Sequence, residues 1–147
     1  MKILPYRTAD NKIRGIVITF VDVSALKISE QKLQKLSYVV QNSPNIIVFT
    51  DLKGQIEYVN KQFCHITGYQ QQEVVGKSIS ILKSGEMEEE LYQELWETIT
   101  TGDKWSGQLH NRTKSGDYYW EEATIFPVKD ETEEIINFIK IASLKEG

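Results

Sequence analysis

Ile46-Ile47-Val48-Phe49-Thr50-Asp51-Leu52-Lys53-Gly54-Gln55-Ile56-Glu57-Tyr58-Val59-Asn60 is the stretch on which the fold turns. Its first five residues are β-branched or aromatic, and Gln55 to Val59 alternates polar and apolar, the period of a half-buried strand. Asp51 to Gly54 supplies turn chemistry between them, so the stretch predicts a β-hairpin. Asn60 then offers a helix N-cap for a short helix over Lys61 to Thr67, which Gly68 closes.

Downstream, residues 70–83 read as short helical turns and loop. Ser84 offers a cap for a longer helix over 86–101, with Leu91, Tyr92, Leu95, Trp96 and Ile99 along one face and Gly102 at its end. The acidic residues Glu86, Glu88, Glu89 and Glu90 suit the positive end of that helix dipole. Three strands follow at about 105–113, 117–128 and 134–143. Strand, strand, helices and three more strands predict an α+β fold, one five-stranded antiparallel sheet with helices on one face.

Upstream, Asn42-Ser43-Pro44 stops a preceding helix. Within residues 24–41, Leu26, Leu33 and Val40 recur every seventh position, Leu36 falls between them, and Ser29 occupies the matching earlier position. This short apolar stripe suits a partner helix or a dimer, or a helix lying on its own domain. Residues 2–8 and 12–23 read as two strands about a turn at Ala9-Asp10-Asn11, with Asp22 and Ser24 as N-cap candidates for the helix. Ile3-Leu4-Pro5-Tyr6 echoes Ile125-Phe126-Pro127-Val128, and Ile13 echoes Ile135 at the same offset of 122. The chain therefore divides into 1–23, the last hairpin of a preceding repeat; 24–41, an amphipathic linker helix; and 42–147, a complete domain.

Composition narrows the function. The 147 residues carry a formal charge of −4 with no basic cluster, which argues against nucleic-acid binding. No apolar run is long enough to cross a bilayer, and Cys64 is the only cysteine, so neither a disulfide framework nor a thiolate metal cluster is expected. A reducing, cytoplasmic setting fits. There is no glycine-rich phosphate loop, metal-ligand spacing or nucleophile motif, and His65 and His110 fall in separate elements. No catalytic residues are assigned.

Several short motifs recur in order at domain-scale spacing. They are Ile56 to Phe63, Thr67-Gly68-Tyr69, Glu73-Val74-Val75-Gly76, Ile81 to Gly85, Leu95-Trp96, Gly102, Trp105-Ser106-Gly107, Asn111 to Gly116 and Tyr119-Trp120-Glu121. Together they resemble the PAS/PAC sensor domain family, over about residues 36–143. The resemblance implies a regulatory module that senses a small ligand, redox state or partner and relays it through a helical dimer linker. Any catalytic output, such as a histidine kinase, cyclase or chemotaxis-type methyltransferase, then lies outside this chain. The opening, from Leu4-Pro5-Tyr6 to Asp22-Val23-Ser24, resembles the end of another such repeat, with Asp22 at its junction with the signalling helix. Ile141-Ala142-Ser143 departs from that pattern by lacking an acidic residue.

The Trp105-Ser106-Gly107 and Asn111-Arg112 pair is similar to the flavin-binding PAS domains of nitrogen-fixation regulators and aerotaxis sensors, which raises FAD as a cofactor. On a strand, 105, 107, 109 and 111 share a face. If that face lines a pocket, Trp105 and Leu109 supply apolar wall, Gly107 leaves room, and Asn111 hydrogen-bonds a ring edge. Phe63 and Glu121 complete the pocket set. In the alternative, Trp105 fills the core and Asn111 satisfies backbone. Glu121 either points inward on the Tyr119 and Ala123 face, where it needs a partner, or faces solvent. Haem is not expected, because residues 86–101 hold no histidine. Thiol-adduct flavin chemistry wants a cysteine after the short helix, whereas Cys64 sits on it and reads as a core residue. A cofactor-free dimerisation module is the remaining alternative, with a homodimer formed through the linker helix or the sheet.

Overall fold

The computed structural model describes the backbone of residues 12–145 and the side chains of residues 26–145. The chain divides into two units, residues 1–39 and residues 40–147.

The first unit contributes most of one helix, α1 (Lys12–Gln41). This corrects the strand expected over 12–23, and it places Asp22 inside a continuous helix instead of at a helix start. The local sequence, rich in Ile and Val, favours a strand. A strand without neighbouring strands leaves its backbone unpaired, however, and an isolated hairpin is marginal in water. A helix satisfies its backbone within the segment. The strand expected over 2–8 lies outside the described residues. Along α1, Leu26, Leu33 and Leu36 are 60%, 65% and 62% exposed.

In the second unit, β1 (Ile46–Thr50) and β2 (Ile56–Val59) form the expected hairpin. Asp51 Oδ1 accepts from Lys53 N and Gln55 N, both at 2.9 Å, and Gly54 adopts φ +84. Three short helical pieces follow: α2 (Lys61–Thr67), α3 (Gln71–Val74) and a 3₁₀ turn (Ile79–Leu82). Then come α4 (Glu89–Thr100), β3 (Trp105–Arg112), β4 (Tyr118–Lys129) and β5 (Ile135–Leu144). The five strands form one antiparallel sheet, as the sequence predicts, and their order is β2-β1-β5-β4-β3. The long helix starts at Glu89, later than expected. Ser84 caps nothing helical there; its Oγ accepts from Glu86 N, and Gly85 at φ +89 turns the chain before the helix begins.

Asn60 ties the start of the unit together. It is fully buried, and its Oδ1 accepts from Phe63 N as the α2 cap and from Ile47 N in β1. Its amide donates to Val40 O and Asn45 O, both at 2.9 Å. The Tyr58 hydroxyl donates to Gln41 Oε1. The last residues of α1 are therefore fastened to β2 and to the cap of α2.

Alternation along the strands sends one set of side chains under the helices. Val48, Leu109, Ala123, Phe138 and Ala142 meet Phe63, Val74, Leu82, Leu95 and Ile99 in a single core. Burying Leu95 and Ile99 holds α4 on the sheet at about 1.5–3 kcal/mol each. The opposite face carries the paired rings of Phe49 and Tyr58, and His110 against Tyr118 and Trp120.

Candidate functional site

The inner face of β3 is set by its alternation with β4. Trp105, Leu109 and Asn111 are buried, while Ser106, Gln108 and Arg112 are exposed. Trp105 folds along its own strand. A Cβ at Gly107 would stand 2.7 Å from its indole ring, so glycine is required there by close approach. The room at Gly107 is thus taken by Trp105, which belongs to the packed core together with the fully buried Phe63.

Beside that core, between the inner sheet face and the 3₁₀ turn and α4, lies a cavity of about 120 Å³. Val48, Leu82, Leu95, Ile99, Ile125 and Phe138 give it apolar walls. Polar side chains line it as well: Asn111, Lys140, Tyr92 and Thr50, with Ser78, Ser80 and Lys83. At the rim, Trp96 packs over Gly54 and meets Phe138 edge-on at 5.7 Å. Lys83 Nζ stands 3.9 Å from the centre of the Tyr92 ring, a cation–π contact. The Ser78 and Ser80 hydroxyls bond each other at 2.8 Å.

Glu121 points inward and is fully buried; its partner is Lys140, with Nζ to Oε2 at 2.5 Å. The register explains how they meet. Ile125 pairs with Lys140, Ala123 with Ala142, and Glu121 with Leu144. The two charged side chains extend toward each other across a pair of alanines, which leave the space. Glu121 Oε1, Tyr92 OH and Tyr119 OH are buried without a hydrogen-bond partner. Burial pushes the Tyr119 phenol well above its ordinary range, and the Glu121 carboxylate reinforces this. The Asn111 amide opposes the shift from nearby, without hydrogen-bonding geometry to that hydroxyl. The Tyr92 phenol is raised by burial, with Glu89 and Glu121 adding to it. Both phenols therefore stay protonated at neutral pH and offer neutral O–H groups.

Of the residues marked in the sequence, Leu109 and Asn111 stand in the cavity wall, and Glu121 lies behind Lys140. Trp105 and Phe63 pack next to the cavity without lining it. On α1, Leu26, Leu33 and Leu36 are exposed and Val40 is half-buried, while the Asp22 side chain lies outside the described ones. Lys140 is the residue that sequence reasoning missed. Its signal was present: Ile136, Phe138, Lys140 and Ala142 share one strand face that is apolar but for the lysine, so a lysine buried there needs a partner.

Among the described residues, no three His, Cys, Asp or Glu side chains gather as a metal site. Cys64 lies on α2 outside the cavity, and burial raises its thiol, with backbone bonds at Gln71 and Cys64 opposing. His110 faces the other side of the sheet, with Nδ1 2.8 Å from Ser84 Oγ. No described helix is long and apolar enough to cross a membrane.

Comparison with known proteins places this geometry. A family model described as PAS domain matches residues 44–143, and a second, also described as PAS domain, matches residues 1–24. The aerotaxis receptor of Escherichia coli (strain K12) is 32% identical over 93 residues, 60% of this chain and 18% of that protein. The nitrogen fixation regulatory protein of Klebsiella pneumoniae is 31% identical over 101 residues, 69% of this chain and 20% of that protein. The chain thus spans a fifth or less of these relatives' length. The solved PAS domain of a protein from Colwellia psychrerythraea is 24% identical with a TM-score of 0.71, covering 77% of this chain and 96% of that one.

Proposed function

The chain belongs to the PAS domain family, a family of regulatory sensor modules, and we propose that the cavity beneath α4 is the input and α1 the output of one such module. The carrying observation is the cavity itself: a mainly apolar space between sheet and helices with Asn111, Lys140 and Tyr92 in its lining. Such a space takes a ligand, and whatever prefers one packing of its walls shifts the balance between conformations. Asn60 and Tyr58 supply the link to the helix, through Val40 and Gln41. The match at residues 1–24 supports reading the opening as the tail of a preceding repeat, so α1 connects two sensor domains in a longer protein. Catalytic output, such as a kinase, cyclase or methyltransferase domain, belongs to that longer protein.

The exposed leucines of α1 support a homodimer through this helix. Leu33→Asp with Leu36→Asp is expected to halve the mass measured by light scattering. An unchanged mass rejects the seam.

Similarity to the aerotaxis receptor and the nitrogen fixation regulator raises FAD as the ligand. The residues present do not fit a flavin. The cavity of about 120 Å³ lies well under the ~300 Å³ at which pockets for cofactor-sized ligands begin. The Lys140–Glu121 pair and the Trp105 ring occupy the inner face. Thiol-adduct photochemistry fares no better, since Cys64 does not line the cavity. Gently purified protein is expected to be colourless. Flavin absorbance that survives gel filtration and is released by denaturation overturns this reading.

A further inference from the structure

Two polar groups of the cavity, on Lys140 and Tyr92, keep unused hydrogen-bonding capacity. Lys140 Nζ makes one bond, to Glu121, and an ammonium has three donors. Tyr92 OH has no partner, although it is buried. The Asn111 side chain is 4% exposed and likewise lines the space. A buried polar group costs stability until something bonds it. One unbonded hydroxyl, at Tyr92, and the spare donors of Lys140, with the Asn111 amide beside them at the same mainly apolar cavity, mark a site built for an oxygen on an otherwise apolar molecule.

Size and charge narrow the class. About 120 Å³ is near the ~150 Å³ of an apolar cavity that takes benzene, so the body of the ligand is a single ring. An anion would draw Lys140 away and leave the Glu121 carboxylate buried and unpaired. A cation would face the ammonium. Water at the polar groups would still leave the apolar walls of Val48, Leu82, Leu95, Ile99 and Phe138 without contact.

We infer that the cavity takes a compact, neutral, monocyclic molecule bearing one hydroxyl or carbonyl oxygen, which accepts from Lys140 Nζ beside Asn111 and Tyr92. This rests on the cavity being the input of the module.

The test is a chemical-shift titration of the full chain, ¹⁵N-labelled, with phenol, benzene, benzoate and riboflavin in parallel. Phenol is expected to shift the amides around Leu109, Asn111 and Lys140 saturably. Benzene, which lacks the oxygen, is expected to bind about 10–150-fold more weakly, the value of one hydrogen bond to a charged donor. Benzoate is expected to leave those amides unmoved. In Glu121→Leu with Lys140→Met, phenol and benzene should bind alike. The comparison of phenol with benzene in the unaltered chain decides the matter if that variant does not fold. Benzoate binding as well as phenol, or benzene equal to phenol in the unaltered chain, overturns the ligand class. Riboflavin binding without phenol also overturns it but leaves the cavity as input. Silence from every probe at these amides overturns both.

Discussion

At the scale of single residues, Asn60 and the Glu121–Lys140 pair carry the most weight. Asn60 satisfies four groups at once, in β1, in α2 and in the segment leaving α1. Asn60→Ala leaves buried backbone groups unpaired and should lower stability by about 2–4 kcal/mol in urea melts. A loss under ~0.5 kcal/mol, the size of an ordinary surface change, would contradict that role. The ion pair behaves differently, because its desolvation offsets much of its attraction. Lys140→Met alone strands a carboxylate that already has one unbonded oxygen, and should cost about 3–5 kcal/mol. Adding Glu121→Leu removes the stranded charge and should restore most of that loss. A double variant as unstable as the single one would show that the pair is worth more than its geometry suggests.

At the scale of elements, short-range chemistry was legible and long-range pairing was not. The hairpin of β1 and β2 was readable because Asp51 and Gly54 act within the turn they make. Asn60 as a cap and the shared face of Trp105, Leu109 and Asn111 followed from local sequence, whereas which side of the sheet that face meets did not. The meeting of Lys140 with Glu121 depends on the β4–β5 register, which includes an irregularity between Val128 and Lys129 that nothing in the composition announces. The helix over 12–23 was illegible for a related reason, since its residues favour a strand that needs neighbours to exist. Two exposed carboxylates that hold turns make a further prediction. Glu73 is held below its ordinary range by the Gln70 N–H first and by Lys114 second, tying α3 to the β3–β4 turn. Asp130 is lowered by the Thr132 hydroxyl first and then the Glu134 N–H, closing the β4–β5 turn. A lowered folded value means stability present above the unfolded pKa and lost as pH falls through the folded one. Melting temperature should therefore drop as pH falls through the carboxylate range, and Glu73→Gln with Asp130→Asn should flatten the profile. An unchanged slope in that variant would assign the acid sensitivity elsewhere.

At the scale of the whole molecule, the two units differ in what holds them. Residues 40–147 own a core in which strands at both ends of the sequence pair, since β1 bonds both β2 and β5. The helix before them displays leucines to solvent along the face that would pack a partner. Deleting residues 1–39 should then leave the second unit with a cooperative melt and an intact cavity, because no residue lining the cavity is removed. Its mass in light scattering should fall to that of a monomer if the dimer is made by α1. The cut spares Val40 and Gln41, so the bonds from Asn60 and Tyr58 survive and any loss of stability reports on α1 itself. A truncated chain that still dimerises moves the interface to the aromatic face of the sheet, around His110, Tyr118 and Trp120. One that melts without cooperativity makes α1 part of the fold. In that case the helix is a wall of the sensor, and the separation of input from output along the chain fails.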